Sequence, residues 1–215
     1  MMFKRAHSIA FAAIAGLLVL TNTAIANTSA GPGTLFLTLS DLSQGTSYFL
    51  DTGLTIQTFS QDQWQYFDLT TDPNYQTFTS HMHPGDVVQY EVASATSSTS
   101  LPSILFTSND DSFNPVGNVR LGQAAASLLS YLSYVNTTPS PTTYSAFLPA
   151  TVPDWESSFE SNIGIQSIAA LPGRPLFFYS EVARSPGMTP PALLLQFAGG
   201  WYFTSNGVLQ YTTPD

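Results

Sequence analysis

The chain has no cysteine. That excludes a disulfide framework, a thiolate metal site, a cysteine nucleophile and lipid attachment to a cysteine. Charge of either sign is scarce, at 9% of the 215 residues, and positive charge is scarcer still. The sole lysine, Lys4, and Arg5 stand at the N-terminus, and only Arg120, Arg174 and Arg184 follow. All 14 acidic residues lie beyond residue 26, so residues 27–215 carry three positive and fourteen negative groups, formally −11. Nucleic acid and anionic membrane surfaces are therefore poor partners. Also missing are a G-x-S-x-G elbow, an H-E-x-x-H pair and a phosphate-cradling glycine loop. With so few charges, solubility rests on Ser, Thr, Asn and Gln.

Residues 1–26 have the three parts of a secretory signal peptide. Lys4 and Arg5 form the positive start, Ile9 to Leu20 the apolar run, and Ala24-Ile25-Ala26 a small-x-small cleavage site. The apolar run is shorter than the ~20 residues a membrane span needs. The expectation is a secreted or periplasmic bacterial protein, starting at Asn27, with no membrane span after cleavage. Its C-terminus, Tyr211 to Asp215, has neither an apolar tail nor a basic cluster.

Residues 27–215 suit one domain with a substantial core. Strand-like alternation recurs. Leu35, Leu37 and Leu39 oppose Phe36 and Thr38, and Asp41–Gly45 turns the chain into a second strand at Ser47–Asp51, which Gly53 should end. Trp64–Leu69, Asp86–Val92, Ile104–Thr107, Leu176–Val182 and Ala192–Ala198 are further strands, with Val88, Tyr90 and Val92 on one face. Ser94–Ser100 has loop composition. Asp72-Pro73 is a helix N-cap followed by proline at the first helical position, opening a short helix to about Ser80. The long helix spans about 118–135, where Leu121, Ala125, Leu128, Leu132 and Val135 share a face. These elements predict a mainly β fold: an antiparallel β sandwich with one amphipathic helix packed on it.

The most specific local pattern is Trp201 to Thr212. Asn206-Gly207 is the preferred centre of a two-residue type I′ turn. Such a turn pairs Phe203 with Gln210 and Tyr202 with Tyr211. It sets Tyr202, Thr204, Leu209 and Tyr211 on one face and Trp201, Phe203 and Val208 on the other.

Three constellations invite a chemical reading. On an extended segment the imidazoles of His81 and His83 would point the same way and share a metal with Asp86 or Glu91, although the stretch also reads as a solvated loop before Pro84-Gly85. Asn109, Asp110, Asp111 and Asn114 form an oxygen-rich loop suited to calcium, but without D-x-D-x-D-G spacing, and Asn and Asp also cap ordinary turns. Glu156 and Glu160 after Trp155 would share a helical face, as a carboxylate pair of glycosidase type or as surface charges. None is compelling, so the expectation is no catalytic residue, no cofactor and no bound transition metal. The remaining resource is aromatic: 3 Trp, 10 Tyr and 15 Phe, which either fill the core or form an exposed row that stacks on sugar rings.

Gly33 to Asp41, Ser47-Tyr48, Leu50 to Leu54 and the closing Gly200 to Tyr211 resemble a loose group of uncharacterised exported bacterial β-rich proteins. Members often carry a PEP-CTERM-type sorting tail and are associated with biofilm or exopolysaccharide. The resemblance implies export and a β fold and supplies no catalytic residues; this chain ends without that tail. The expected function is a non-enzymatic envelope or extracellular-matrix protein acting by binding or self-association, with extracellular polysaccharide or itself as partner. The alternative is a carbohydrate-binding module or glycan-active enzyme. Exposed aromatics along a groove would favour the second, and an unprotected edge strand the first.

Overall fold

The computed structural model describes residues 28–96, 103–109, 117–150, 172–183 and 192–213. In chain order these form β1 (Thr34–Asp41), β2 (Thr46–Thr55), β3 (Gln65–Asp68), α1 (Pro73–His81), β4 (Val88–Thr96), β5 (Ile104–Asn109), α2 (Asn118–Thr137), β6 (Ser145–Leu148), β7 (Pro175–Val182), β8 (Leu193–Phe203) and β9 (Val208–Thr212). The fold is mainly β, and every strand pairing is antiparallel. The nine strands belong to one sheet, ordered β3-β9-β8-β7-β5-β4-β1-β2-β6. The two apolar layers expected of a sandwich are supplied by this single sheet, which curls until β2 and β3 flank a common cavity lined by Leu50, Asp51, Phe67, Asp68 and Tyr144.

Alternation along each strand sorts side chains to the two faces. The concave face collects Leu35, Leu37, Leu39, Tyr48, Tyr90, Val92, Phe178, Trp201, Phe203, Leu209 and Tyr211, all buried. Phe59, in the turn after β2, plugs this interior. Its ring centroid lies 5.0–6.2 Å from those of Phe106, Phe178, Phe197, Trp201 and Tyr211. The convex face carries Phe36, Phe49, Ala93, Ala95 and Leu105, and α2 lies on it through Leu121, Ala124, Ala125, Leu128, Leu132 and Val135. Small alanines on β4 let the helix approach the sheet. The long helix and its buried face are as the periodicity predicts.

Three local expectations change. Gly53 does not end the second strand. It sits at φ +71° inside β2, where the β1–β2 register shifts, and so serves a bulge. Ser94, Ala95 and Thr96 are not loop but the end of β4, because β5 continues the ladder as far as Ile104 opposite Thr96. The third change is the final hairpin. Phe203 faces Leu209, Tyr202 faces Gln210 and Trp201 faces Tyr211, one residue away from the type I′ register. Among the described residues only glycines have positive φ, so Asn206 cannot occupy the first centre of a type I′ turn. Instead Gly207 N donates to Thr204 O and Thr204 N to Val208 O, a three-residue loop closed by glycine at φ +82°. The slip exchanges faces: Trp201, Phe203, Leu209 and Tyr211 all enter the core, and Tyr202 turns outward.

Helix α1 closes the cavity side as its cap predicts. Asp72 accepts from the backbone N–H groups of Asn74 and Tyr75, and its other oxygen accepts from the buried Tyr48 hydroxyl. Burial, then the Asp72 charge, push the Tyr48 hydroxyl far above its ordinary pKa, so it stays a donor. Asn74, also buried, binds Ser140 and Ser145 and ties α1 to β6. Asp72→Ala is expected to lower stability by about 2 kcal/mol, from the lost cap and the stranded tyrosine hydroxyl. Asp72→Asn, which keeps an oxygen acceptor, should lose clearly less. Urea midpoints at unchanged slope check this.

Candidate functional site

Helix α2 covers only part of the convex face; it lies mainly on β4 and β5, and its Tyr131 reaches Phe36 on β1 and Phe49 on β2. Across β3, β9, β8 and β7 the same face presents another surface, fixed by the ladder. Tyr66 on β3 lies beside Gln210 on β9, which lies beside Tyr202 on β8, which lies beside Pro175 on β7. In the next row Thr212, Gly200 and Phe177 are cross-strand neighbours. Trp64, immediately before β3, stacks on Tyr66 with ring centroids 5.4 Å apart and planes tilted by 35°.

These rings are not core. Trp64 is 60% exposed, Tyr66 50% and Phe177 46%. Aromatic side chains of this size normally bury most of their surface, so three on one sheet face mark it as a surface built for contact. Beside Phe177 runs an open trough of about 430 Å³ with Phe177, Gly200, Tyr202, Gln210 and Thr212 in its lining, and Tyr66 is the cross-strand neighbour of Gln210. Gly200 is required there, since a β-carbon would stand 2.6 Å from the Leu176 carbonyl oxygen. Gln210 and Thr212 offer hydrogen-bonding groups beside the rings. The exposed carboxylate of Asp68, two residues beyond Tyr66, is held below the ordinary range by its bonds to the Thr70 hydroxyl and N–H. The face is thus apolar rings interleaved with neutral donors and acceptors, and an anion at one corner.

The residues singled out for metal chemistry do not converge. His81 is the last residue of α1, not part of an extended segment. Its Nδ1 bonds the Thr77 carbonyl at 2.8 Å and its ring stacks on Phe147 at 4.8 Å. His83 turns instead to Asp86, with Nδ1 3.5 Å from Oδ2. Glu91 is buried in the middle of β4, on the opposite face from Tyr90 and Val92. Among the described residues no three His, Cys, Asp or Glu side chains come together as a metal site. Asn109 ends β5, while Asp110, Asp111 and Asn114 lie outside the described residues, as do Trp155, Glu156 and Glu160.

Sequence reasoning named the aromatic surplus but not which rings emerge. Trp64 and Tyr66 were legible as i, i+2 partners on a short strand, but their exposure depends on β3 lying at the sheet edge beyond the reach of α2. Tyr202 was assigned to the other face by the hairpin register. Among the described residues no helix is long and apolar enough to cross a membrane. No family model, curated protein or solved structure matches the chain.

Proposed function

We propose that this is an exported protein that binds a neutral polysaccharide, without catalysis, on the open convex face around Trp64, Tyr66, Tyr202 and Phe177. The observation that carries the reading is the set of exposed rings on adjacent strands with Gln210 and Thr212 between them. The axial C–H faces of a pyranose ring are apolar and pack on an aromatic plane, while its equatorial hydroxyls need donors and acceptors at the rim. Both are in place. The shortage of positive charge favours an uncharged glycan over an acidic one. Export rests on the charged start, apolar run and Ala-x-Ala site within residues 1–26. Self-association through sheet edges is the weaker reading, because the two edge strands, β3 and β6, have only four residues each, and short edges resist strand addition.

The test is affinity electrophoresis of the purified protein in gels containing the exopolysaccharide of its source and a panel of neutral β-linked glucans. Retardation by at least one glycan is expected. Trp64→Ala should weaken it by about tenfold, equivalent to roughly 1.4 kcal/mol, while thermal stability stays nearly unchanged, since the ring is largely exposed. Unaltered mobility with every glycan would remove the proposal. A dimer in sedimentation velocity that Trp64→Ala abolishes would reassign the face to self-association.

A further inference from the structure

A second site lies where the β1–β2 hairpin meets the start of β4. Asp41, the last residue of β1, pairs across the ladder with Thr46 on β2 and with Val88 on β4. Its Oδ1 is used locally, accepting from the N–H groups of Ser43 and Gln44 at 2.9 and 3.1 Å. Its Oδ2 has no hydrogen-bond partner, although the residue is only 1% exposed. The hydroxyl of Thr46, directly opposite, is also buried and also without a partner. Directly opposite residues hold their β-carbons about 4.5–5.5 Å apart, close enough for both oxygens to reach one ion.

The third group is Asp86, in the turn before β4. Its carboxylate lies within hydrogen-bonding reach of Asp41. It accepts from the His83 N–H at 2.7 Å and from the Gln44 amide at 3.2 and 3.3 Å. Two carboxylates in contact repel unless a proton or a cation stands between them. Among the described residues the basic side chain beside this pair is His83, whose Nδ1 lies 3.5 Å from Asp86 Oδ2. Buried polar atoms almost always find a partner, and here two oxygens of one cluster lack one.

We propose that Asp41, Asp86 and Thr46 form a calcium site that clamps the β1–β2 hairpin to the start of β4. All the donors are oxygens, which selects a hard cation over zinc or copper. Gln44 adds its amide oxygen by rotating the side-chain amide, whose oxygen and nitrogen occupy equivalent positions, and water completes the shell. The irregular hairpin end suits calcium, which tolerates varied geometry, better than magnesium, which demands an octahedron. The site is independent of the aromatic face and of the glycan reading.

Calorimetric titration of EDTA-stripped protein with calcium chloride tests this. A single ion should bind per chain, with a dissociation constant on the order of 10⁻⁴–10⁻³ M, the range of extracellular calcium modules. The melting temperature should rise with calcium and respond far less to magnesium. Asp41→Asn and Asp86→Asn should each weaken binding at least about tenfold, and Asp62→Asn, in the turn before β3, should leave it unchanged. Far-UV circular dichroism establishes that each variant is folded. Should Asp41→Asn fail to fold, Asp86, which lies in the turn and is less buried than Asp41, carries the test alone. No heat at calcium well above that range, or full affinity retained in folded Asp86→Asn, would overturn the proposal and leave a buried water as the partner of Asp41.

Discussion

Replacing Trp201 with alanine is expected to lower stability by about 3–5 kcal/mol, the range for emptying a large aromatic site in a packed core. Trp201 is fully buried. Its ring centroid lies 5.2 Å from that of Tyr211, 5.9 Å from Phe178 and 6.2 Å from Phe59, so the cavity would open in the middle of the concave cluster. Tyr211 and Phe178 are held by the nine-stranded ladder and cannot collapse into the space, which places the loss toward the upper end. The adjacent Tyr202→Ala makes the contrast. Tyr202 lies half-buried on the convex face, so its removal should cost less than about 1 kcal/mol and should weaken glycan binding instead. Guanidinium midpoints for the two variants, at unchanged slope, read the hairpin register directly. Equal losses would mean that the strands pair one residue away from the register described.

The second large effect concerns the loop that sets this register. Gly207→Val is expected to cost about 2–4 kcal/mol, from two sources that add. A side chain at φ +82° is strained by roughly 1–2 kcal/mol, more when β-branched. The new β-carbon would also stand 2.8–3.0 Å from the ring of Tyr75 on α1, and relieving that overlap costs about 1–3 kcal/mol. Tyr75 cannot swing freely, since its ring packs edge-on against Tyr48 and Phe203. The Gly207 carbonyl accepts from Leu69 N–H at 2.9 Å, so a displaced loop would also pull on the segment between β3 and α1. Gly45→Val supplies the comparison. Gly45 has φ +67°, but its β-carbon would meet only Ala150, at 3.4 Å. It should suffer the backbone strain without the overlap, and so lose less. Equal denaturant midpoints for the two variants would mean that Tyr75 yields easily and that α1 is not fixed against the hairpin.

Much of the architecture is local and therefore visible in the sequence. The leucines of β1 and the Val88, Tyr90, Val92 row of β4 alternate, and alternation alone settles which residues of one strand share a face. The apolar stripe of α2 and the Asp72-Pro73 start of α1 are likewise written within a few residues, and the structure has both. Glycine positions were legible as punctuation, though not their meaning. Gly53 looks like a strand end and is a bulge, because a partner strand across the ladder determines whether the chain continues.

The candidate sites were far less legible. The proposed glycan face joins Trp64 and Tyr66, at β3, to Phe177 and Tyr202, more than a hundred residues on, and its exposure follows from where α2 stops covering the sheet. The proposed calcium site joins the end of one hairpin to the start of β4. Asp86 was noted as a partner for histidines, yet His81 is carried away by the last turn of α1 and stacks on Phe147. Proximity of this kind has no periodic signal.

The sequence by itself determined the segmentation, the two faces of each strand and the long amphipathic helix, because those depend on repeat lengths of two and 3.6 residues along one chain. The tertiary structure alone decided which face of β8 meets which face of β9. A two-residue and a three-residue loop differ by one step of register, and that step exchanges every side chain between core and solvent. The three-residue loop prevailed because it buries Trp201, Phe203, Leu209 and Tyr211 together around Phe59, a gain in apolar contact that the preference of Asn-Gly for a tighter turn cannot match.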